Sequence, residues 1–163
     1  MKILFADKFP ASSVDLLQER GHSCRVCPEL DGDTLPEAVA DNEVLVVRST
    51  RVSAQTIANG RVLKMIIRAG AGTNTIDKDH AAENNVYVCN VPGRNAAAVA
   101  ELVMGLIIAI DRSIPDNVTE LRAGNWDKAR FSKARGLMGR KMGVMGLGSI
   151  GLAVLERAHA FGM

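Results

Sequence analysis

The chain has 163 residues, of which 47% are hydrophobic and 23% charged, a composition typical of a folded globular protein rather than a disordered one. Its formal net charge of +2 is too small to indicate nucleic acid or an anionic membrane as a partner. The longest apolar stretch, 102–110, is about half as long as a bilayer requires. With no secretory signal, we expect a cytoplasmic protein whose three cysteines are free thiols.

Short apolar runs alternate with helix-like segments from residue 1 to residue 90. Runs such as Val44–Val47 lack apolar/polar alternation, which is typical of strands covered by helices on both faces of a parallel sheet. The sequence therefore predicts an α/β fold with a doubly wound parallel sheet. The predicted strands are 2–6, 23–27, 44–47, 65–67 and 86–89.

Capping and helix-breaking residues predict where the connecting helices begin and end. Ser12 or Ser13 is a candidate N-cap for the first helix, which Gly21 would end. The second helix would begin after Thr34, with Pro36 in its first turn. Two more short helices are predicted at 53–58 and 76–84.

The pattern changes after the fifth predicted strand. Residues 96–110 are alanine-rich and almost uniformly apolar, and they predict a long helix with little solvent exposure. A more polar amphipathic helix is predicted at 113–122, and a basic irregular segment at 124–140. The apolar run 141–145 predicts one more strand.

A G-x-G-x-x-G pattern follows that run, formed by Gly146, Gly148 and Gly151, and leads into a helix-periodic segment. A strand, these glycines and a helix come in the order that a dinucleotide-binding turn requires. The first glycine permits the tight turn, the second lets the backbone approach a pyrophosphate, and the third lets the helix pack closely. The free N–H groups at the start of the following helix would face that anion.

Residues suited to bind a small anion follow two neighbouring predicted strands. Arg48 comes after the third strand and Arg68 after the fourth. Carboxyl ends of parallel strands share one edge of the sheet, where ligands of open α/β sheets bind. Guanidinium groups match anions by charge and forked hydrogen bonding, and Gly70 and Gly72 let backbone amides approach a bound oxygen.

The sequence contains no recognisable catalytic dyad or metal site. Hydride transfer at an alcohol carbon needs a general acid/base, usually a histidine held by a carboxylate. None of His22, His80 and His159 stands at a predicted strand end. Cys24 and Cys27 match C-x-x-C but lack the second ligand pair of a zinc site, so we expect two ordinary cysteines.

Residues 68–77, 100–103 and 146–151 resemble the D-isomer-specific 2-hydroxyacid dehydrogenases, and the likeness extends over the whole chain. The resemblance implies a flavodoxin-like substrate-binding domain over residues 1–95. Residues 96–163 would then hold a hinge helix, a dimerisation arm and the first strand, turn and helix of a Rossmann NAD-binding domain. In this family catalysis takes place in the cleft between the two domains.

The same resemblance implies roles for individual residues. Substrate would be bound by Arg48, Arg68, Gly70, Gly72 and Thr73, and cofactor by Ala71, Gly146, Gly148, Ser149, Ile150 and Gly151. Residues 110–131 would form a homo-oligomer interface. The family's Asp-Asn pair is replaced here by Asn74 and Thr75, which bears on the expected shape of that loop.

Two arginines favour a small phosphorylated 2-hydroxy acid over lactate. The expected reaction is NAD-dependent oxidation of 3-phosphoglycerate to 3-phosphohydroxypyruvate, the entry to serine synthesis. The alternatives are another dehydrogenase of the family, such as a glycerate or hydroxypyruvate reductase, and a non-catalytic anion- or nucleotide-binding module. The family's catalytic arginine, glutamate and histidine and its ribose-binding aspartate would lie beyond Met163. We therefore expect this chain alone to be inactive, to bind NAD weakly or not at all, and to expose apolar surface on helix 96–110.

Overall fold

A five-stranded, all-parallel sheet forms the centre of the first part of the chain. The computed structural model describes all 163 residues and contains two compact units, Met1–Pro92 and Gly93–Met163. The strands are β1 (Lys2–Phe5), β2 (Ser23–Val26), β3 (Val44–Val47), β4 (Met65–Arg68) and β5 (Tyr87–Asn90), in the order β2-β1-β3-β4-β5. This is the order of flavodoxin-like doubly wound sheets, so the predicted α/β fold class is confirmed.

Four helices connect the strands and cover both faces of the sheet. They are α1 (Ala11–Glu19), α2 (Leu35–Ala38), α3 (Ala54–Asn59) and α4 (Lys78–Glu83). Leu45 and Val47 belong to a core cluster on one face, while Val44 and Val46 belong to a second cluster on the other. Successive side chains of a strand point to opposite faces, and both faces of this sheet are covered, so all four residues of β3 are buried.

The register of the sheet aligns the ends of β3, β4 and β5. Val47 lies opposite Arg68 in the β3–β4 ladder, and Arg68 lies opposite Asn90 in the β4–β5 ladder. The loops that follow these strands therefore leave the sheet side by side at its carboxyl edge.

The helix starts agree with the sequence in some places and differ in others. Helix α1 begins at Ala11, directly after Pro10 with a φ of −60°, and no side chain caps it. The predicted cap by Ser12 or Ser13 is therefore wrong, because both residues lie inside the first turn. Ser53 does cap α3, accepting a hydrogen bond from the Thr56 amide at 3.3 Å.

The second unit is helical. Its helices are α5 (Ala96–Asp111), α6 (Ile114–Arg122), α7 (Lys128–Phe131) and α8 (Ser149–Ala160), and none of the helices in the chain is long and apolar enough to cross a bilayer. Met104, Leu137 and Ala158 form its small core. Helix α7, which begins at the capping residue Asp127, lies within the segment predicted to be irregular.

The strand predicted at 141–145 is absent from the structure. The segment has the apolar composition of a buried strand, yet no other strand lies beside it to exchange backbone hydrogen bonds. Met145 is fully exposed. Strand geometry needs such a neighbour, so composition alone does not produce it here.

The low exposure expected of the long apolar helix from its composition is wrong, whereas the apolar surface expected on this helix in the chain alone is present. Leu102, Leu106 and Ile110 on α5 are 62%, 54% and 79% exposed. They follow one another at four-residue spacing and so share one face of the helix. Only the opposite face, which carries Met104, packs into the core of the second unit.

Candidate functional site

Arg68, the last residue of β4, turns its guanidinium group back over Gly70. A Cβ placed on Gly70 would overlap that guanidinium group, so the arginine occupies the space that a side chain would take. The Nε atom of Arg68 is buried and has no hydrogen-bond partner in the protein. The two Nη atoms are not closed off in this way and form no hydrogen bond or ion pair in the chain, so they are free to bind a ligand.

The loop after Arg68 is fixed to the end of β5 at two points. The side-chain amide of Asn90 donates a hydrogen bond to the carbonyl oxygen of Ala71 at 2.6 Å. The backbone N–H of Val91 donates to the carbonyl oxygen of Gly70 at 2.9 Å. These bonds hold the carbonyl groups of the loop toward β5.

Three consecutive backbone amides of this loop are free. The N–H groups of Ala71, Gly72 and Thr73 make no hydrogen bond within the chain. Gly72 is exposed, and a Cβ built on it would meet no backbone atom within 4 Å. Successive free amides in a tight loop form a concave, positively polarised surface that binds anionic oxygens.

The carboxylate of Asp7, which no sequence motif marks, organises the loop 48–50. Oδ2 of Asp7 accepts hydrogen bonds from the backbone N–H groups of Arg48, Ser49 and Thr50 at 2.6, 3.2 and 3.3 Å. Oδ1 accepts one from the Ser49 hydroxyl at 2.9 Å. Burial raises the pKa of Asp7, but these hydrogen bonds outweigh it and hold the pKa below the ordinary 3.8. The one signal in the sequence was its position two residues after β1, at the same carboxyl edge.

The side chain of Arg48 remains open to a ligand. Its backbone amide is engaged by Asp7, whereas its side chain is exposed and forms no ion pair or hydrogen bond in the chain. Arg48 directly follows Val47, which lies opposite Arg68 in the sheet. Two arginines and the free amides of Ala71–Thr73 therefore share one edge of the first unit, an arrangement that can bind a small anion.

The glycine turn of the second unit is built around close backbone packing. Gly146 has a φ of +94°, in the region that favours glycine. A Cβ on Gly151 would overlap the carbonyl oxygen of Gly146, so the start of α8 lies directly against the turn. A Cβ on Gly148 would meet nothing within 4 Å. The turn is therefore closed on its helix side and open at Gly148.

The start of α8 offers free donors beside a cleft. No side chain caps the helix, and the amides of Ser149, Ile150 and Gly151 have no partner in the chain. These residues line a surface cleft of about 460 Å³ together with Gly146 and Gly148. Free amides at the start of a twelve-residue helix, next to an uncrowded glycine, fit the pyrophosphate of a dinucleotide.

Histidine and metal-ligating side chains do not cluster at either of these places. His80 pairs with Glu83 through Nδ1 at 3.5 Å, but both residues stand on α4, one turn apart. Cys24 and Cys27 pack toward opposite faces of the sheet. No group of three or more His, Cys, Asp or Glu side chains is placed to hold a metal ion.

A comparison with known protein families identifies the family of this chain. The family model for the D-isomer specific 2-hydroxyacid dehydrogenase, catalytic domain, matches residues 3–158. The chain belongs to this family of dehydrogenases.

Two relatives illustrate the range of activities in this family. The chain is 42% identical over 164 residues to D-3-phosphoglycerate dehydrogenase of Methanocaldococcus jannaschii, covering all of this chain and 31% of that protein. It is 39% identical over 158 residues to hydroxypyruvate reductase of Thermotoga maritima, covering 96% of this chain and 51% of that protein. The chain thus spans 31% of the first relative's length and 51% of the second's.

Two solved structures that share the fold hold nicotinamide cofactors. The NAD+-bound 3-phosphoglycerate dehydrogenase of Entamoeba histolytica matches with a TM-score of 0.80 and 28% identity, over all of this chain and 52% of that one. An acyclic imino acid reductase in complex with NADPH and D-Arg matches with a TM-score of 0.90 and 26% identity, over all of this chain and 54% of that one. Members of this fold thus bind NAD or NADP.

Proposed function

We propose that this chain provides the substrate-binding part, and the first segment of the cofactor-binding part, of an NAD-dependent D-3-phosphoglycerate dehydrogenase. The observation that carries the proposal is the pair of arginines at the end of β3 and β4, next to three free backbone amides. A substrate with both a phosphate and a carboxylate needs two separate cationic or donor-rich points of attachment. Lactate or glyoxylate would need only one.

In this proposal the two anionic groups of 3-phosphoglycerate bind to different elements. The amides of Ala71, Gly72 and Thr73 hold the carboxylate, and Ala71 is the proposed contact of the nicotinamide. Arg48 and Arg68 neutralise the phosphate and carboxylate and orient the substrate. The absence of any ion pair or hydrogen bond at the Nη atoms of Arg68 supports this role, because these donors are free for an anionic substrate.

The glycine turn is the proposed pyrophosphate site of NAD. Gly148 lets the dinucleotide approach the backbone, and the amides of Ser149, Ile150 and Gly151 face its phosphates. When bound, NAD accepts a hydride from the alcohol carbon of the substrate. The residues of this chain bind and orient the two molecules, and the complete reaction converts 3-phosphoglycerate to 3-phosphohydroxypyruvate for serine synthesis.

The region 110–131 is the proposed interface of a homo-oligomer. Trp126 is 81% exposed, and it lines a cavity of about 270 Å³ with Asn117 and Phe131. Tryptophan is enriched at protein interfaces, and the exposed Leu121 of α6 adds apolar surface to the same region. A change of Trp126 to alanine should therefore weaken self-association of the complete enzyme in sedimentation measurements.

A second candidate function is reduction of hydroxypyruvate or glycerate. The observation that favours it is the 39% identity to a hydroxypyruvate reductase over 96% of the chain. That substrate carries one carboxylate and no phosphate, so it would use the loop amides and leave one arginine without a charged partner.

Steady-state kinetics of the complete enzyme separate the two candidates. Formation of NADH with 3-phosphoglycerate, glycerate and D-lactate gives the substrate preference, and Arg48→Ala should raise KM for the phosphorylated substrate far more than for glycerate. Arg61→Ala is the matched control, because Arg61 is an exposed arginine paired with Asp41 at 2.9 Å. A preference for glycerate or hydroxypyruvate over the phosphorylated acids would replace the first proposal by the second.

A further inference from the structure

We infer that Asp7 is a positioning residue for substrate binding: its carboxylate fixes the loop 48–50 so that Arg48 presents its guanidinium group, and not its backbone, to the substrate. The inference rests on the proposed function for the identity of the substrate. The arrangement of Asp7 and the loop is independent of it.

The loop 48–50 has the geometry of an anion-binding loop, and the anion it binds is the carboxylate of Asp7. Three consecutive amides, those of Arg48, Ser49 and Thr50, converge on the single oxygen Oδ2 of Asp7, and the Ser49 hydroxyl binds the other oxygen. Converging backbone amides of this kind ordinarily bind phosphate or carboxylate ligands. Here the site is filled by a side chain that comes from the end of another strand.

The two loops at the edge therefore differ in what they offer a ligand. Asp7 uses all three amides of the loop after β3, whereas the amides of Ala71, Gly72 and Thr73 after β4 are free. A substrate carboxylate that seeks backbone donors is directed to the second loop. Within the loop after β3, only the side chain of Arg48 remains to bind a charged group of the substrate.

The negative charge of Asp7 does not oppose this function. Four donors surround the carboxylate, and they lower its pKa despite the burial that raises it, so the charge is matched by N–H and O–H dipoles. The hydrogen bonds of Asp7 are long-range contacts, because its amide partners lie 41 to 43 residues further along the chain. The Thr50 hydroxyl adds a bond to the carbonyl of Ala6 at 3.0 Å, which holds the same loop to the end of β1.

Asp31 provides a matched control carboxylate. It accepts hydrogen bonds from the amides of Asp33 and Thr34 at 3.0 Å each, and from the Thr34 hydroxyl at 2.9 Å. These bonds stay within its own turn, and they orient no arginine of the proposed site. Asp31→Asn removes one carboxylate charge of the same type without touching Arg48.

Kinetics of the complete enzyme test the positioning role. Asp7→Ala should raise KM for 3-phosphoglycerate by at least about tenfold, as expected when hydrogen bonds to a charged group are lost, with kcat and KM for NAD changed by less than about threefold. Asp7→Asn keeps a carbonyl oxygen that can accept from the three amides and an amino group that can face the Ser49 hydroxyl, so it should recover most of the substrate affinity. Asp31→Asn should leave all three constants at the wild-type values.

Hydrogen–deuterium exchange of the 163-residue chain tests the loop without any substrate. The amides of Arg48, Ser49 and Thr50 should exchange at least about tenfold faster in Asp7→Ala than in the wild type, while those of β3 keep their protection. If Asp7→Ala fails to fold, the same measurement on Asp7→Asn and Ser49→Ala replaces it, with smaller increases expected.

The outcomes separate this inference from the proposed function. If the wild-type enzyme does not oxidise 3-phosphoglycerate but the loop amides exchange faster in Asp7→Ala, the proposed substrate is wrong. The role of Asp7 in fixing the loop 48–50 is then retained. Unchanged loop exchange, or a fall in kcat with no change in KM for the preferred substrate, overturns the positioning role of Asp7.

Discussion

The guanidinium group of Arg68 occupies the volume in which a side chain at Gly70 would place its Cβ. The two residues are separated by only Ala69, and the carbonyl of Arg68 also accepts a hydrogen bond from the Gly70 amide at 2.8 Å. The glycine is therefore needed for the position of the arginine as well as for the shape of the loop.

Gly70→Ala should displace the Arg68 side chain and weaken substrate binding. The new methyl group takes the place of the guanidinium, so we expect the Kd for 3-phosphoglycerate to rise by about ten- to a hundredfold, the effect of losing a charge-assisted bidentate contact. Calorimetric titration of the complete enzyme measures it. Gly32→Ala is the control, because its Cβ would lie at an ordinary 3.4 Å from the Cβ of Arg51. Equal affinity of Gly70→Ala and wild type would show that Arg68 does not bind the ligand.

Gly151→Ala and Gly148→Ala should separate folding from cofactor binding in the glycine turn. The first variant places a methyl group against the carbonyl oxygen of Gly146 and should lower the free energy of unfolding by about 1–3 kcal/mol. The second adds a methyl group to open space at a φ of −77°, so it should leave stability nearly unchanged. Thermal unfolding followed by circular dichroism gives the first comparison. In the complete enzyme, Gly148→Ala should nevertheless weaken NAD binding, because the methyl group would face the pyrophosphate.

Ser53→Ala should destabilise the first unit through the start of α3. The change removes the cap on the Thr56 amide and the 3.1 Å contact between the two hydroxyl groups, and Thr56 is fully buried. The expected loss is about 1–2 kcal/mol in urea unfolding. Ser12→Ala, on the uncapped helix α1, should change the unfolding free energy by less than about 0.5 kcal/mol. Equal effects of the two changes would contradict the assigned cap.

Glu43 should contribute to stability in a pH-dependent way. Hydrogen bonds from the Lys64 ammonium at 2.9 Å and the Lys2 amide at 3.0 Å hold its pKa below the ordinary 4.5. Because the folded-state pKa is the lower one, the contribution is fully present above about pH 4.5 and is lost as the pH falls through the folded-state value.

Urea unfolding over a pH series at low salt checks this expectation. Glu43→Gln should be less stable than the wild type near neutral pH, and the difference should disappear in acid. Glu29→Gln removes an exposed carboxylate that makes no hydrogen bond, so it should track the wild type throughout. A difference between Glu43→Gln and the wild type that persists in acid would assign the effect to packing instead of charge.

The exposed face of α5 should make the 163-residue chain self-associate. Leu102, Leu106 and Ile110 form a continuous apolar strip on one side of the helix. The sedimentation coefficient should therefore rise with protein concentration, and the double change of Leu102 and Leu106 to glutamate should suppress the rise. Val62→Glu, at an isolated exposed valine, should not. A wild-type chain that remains monomeric at all concentrations would contradict the prediction.

The sheet could be predicted from the sequence because its signal is local. Each residue of Val44–Val47 is apolar, and burial on both faces is what such a run indicates. The apolar run 141–145 carries a similar local signal but is not a strand, because strand formation depends on a neighbour that no local pattern reveals. The sequence did predict exposed apolar surface on helix 96–110 in this chain alone, but not that the exposed face would be the one with Leu102 and Leu106.

The candidate site shows the same division between local and distant information. Arg48, Arg68 and the glycines could be picked out because each directly follows a recognisable strand. The role of Asp7 could not, because its hydrogen bonds go to amides more than forty residues away, and backbone donors leave no trace in residue type. The position of the Arg68 guanidinium group over Gly70 could not be predicted either, because it depends on the conformation of the side chain.

The strand order of the first unit has a consequence for how the protein is made. After β1 and β2 pair, β3 adds to the other side of β1, β4 adds to β3, and β5 adds to β4. Each strand emerging from the ribosome thus meets an edge formed by strands already synthesised, and none must wait for a partner encoded later. The sheet is arranged to assemble in the direction of translation, and proteolysis of nascent chains stalled at increasing lengths should show protection spreading from β1 toward β5.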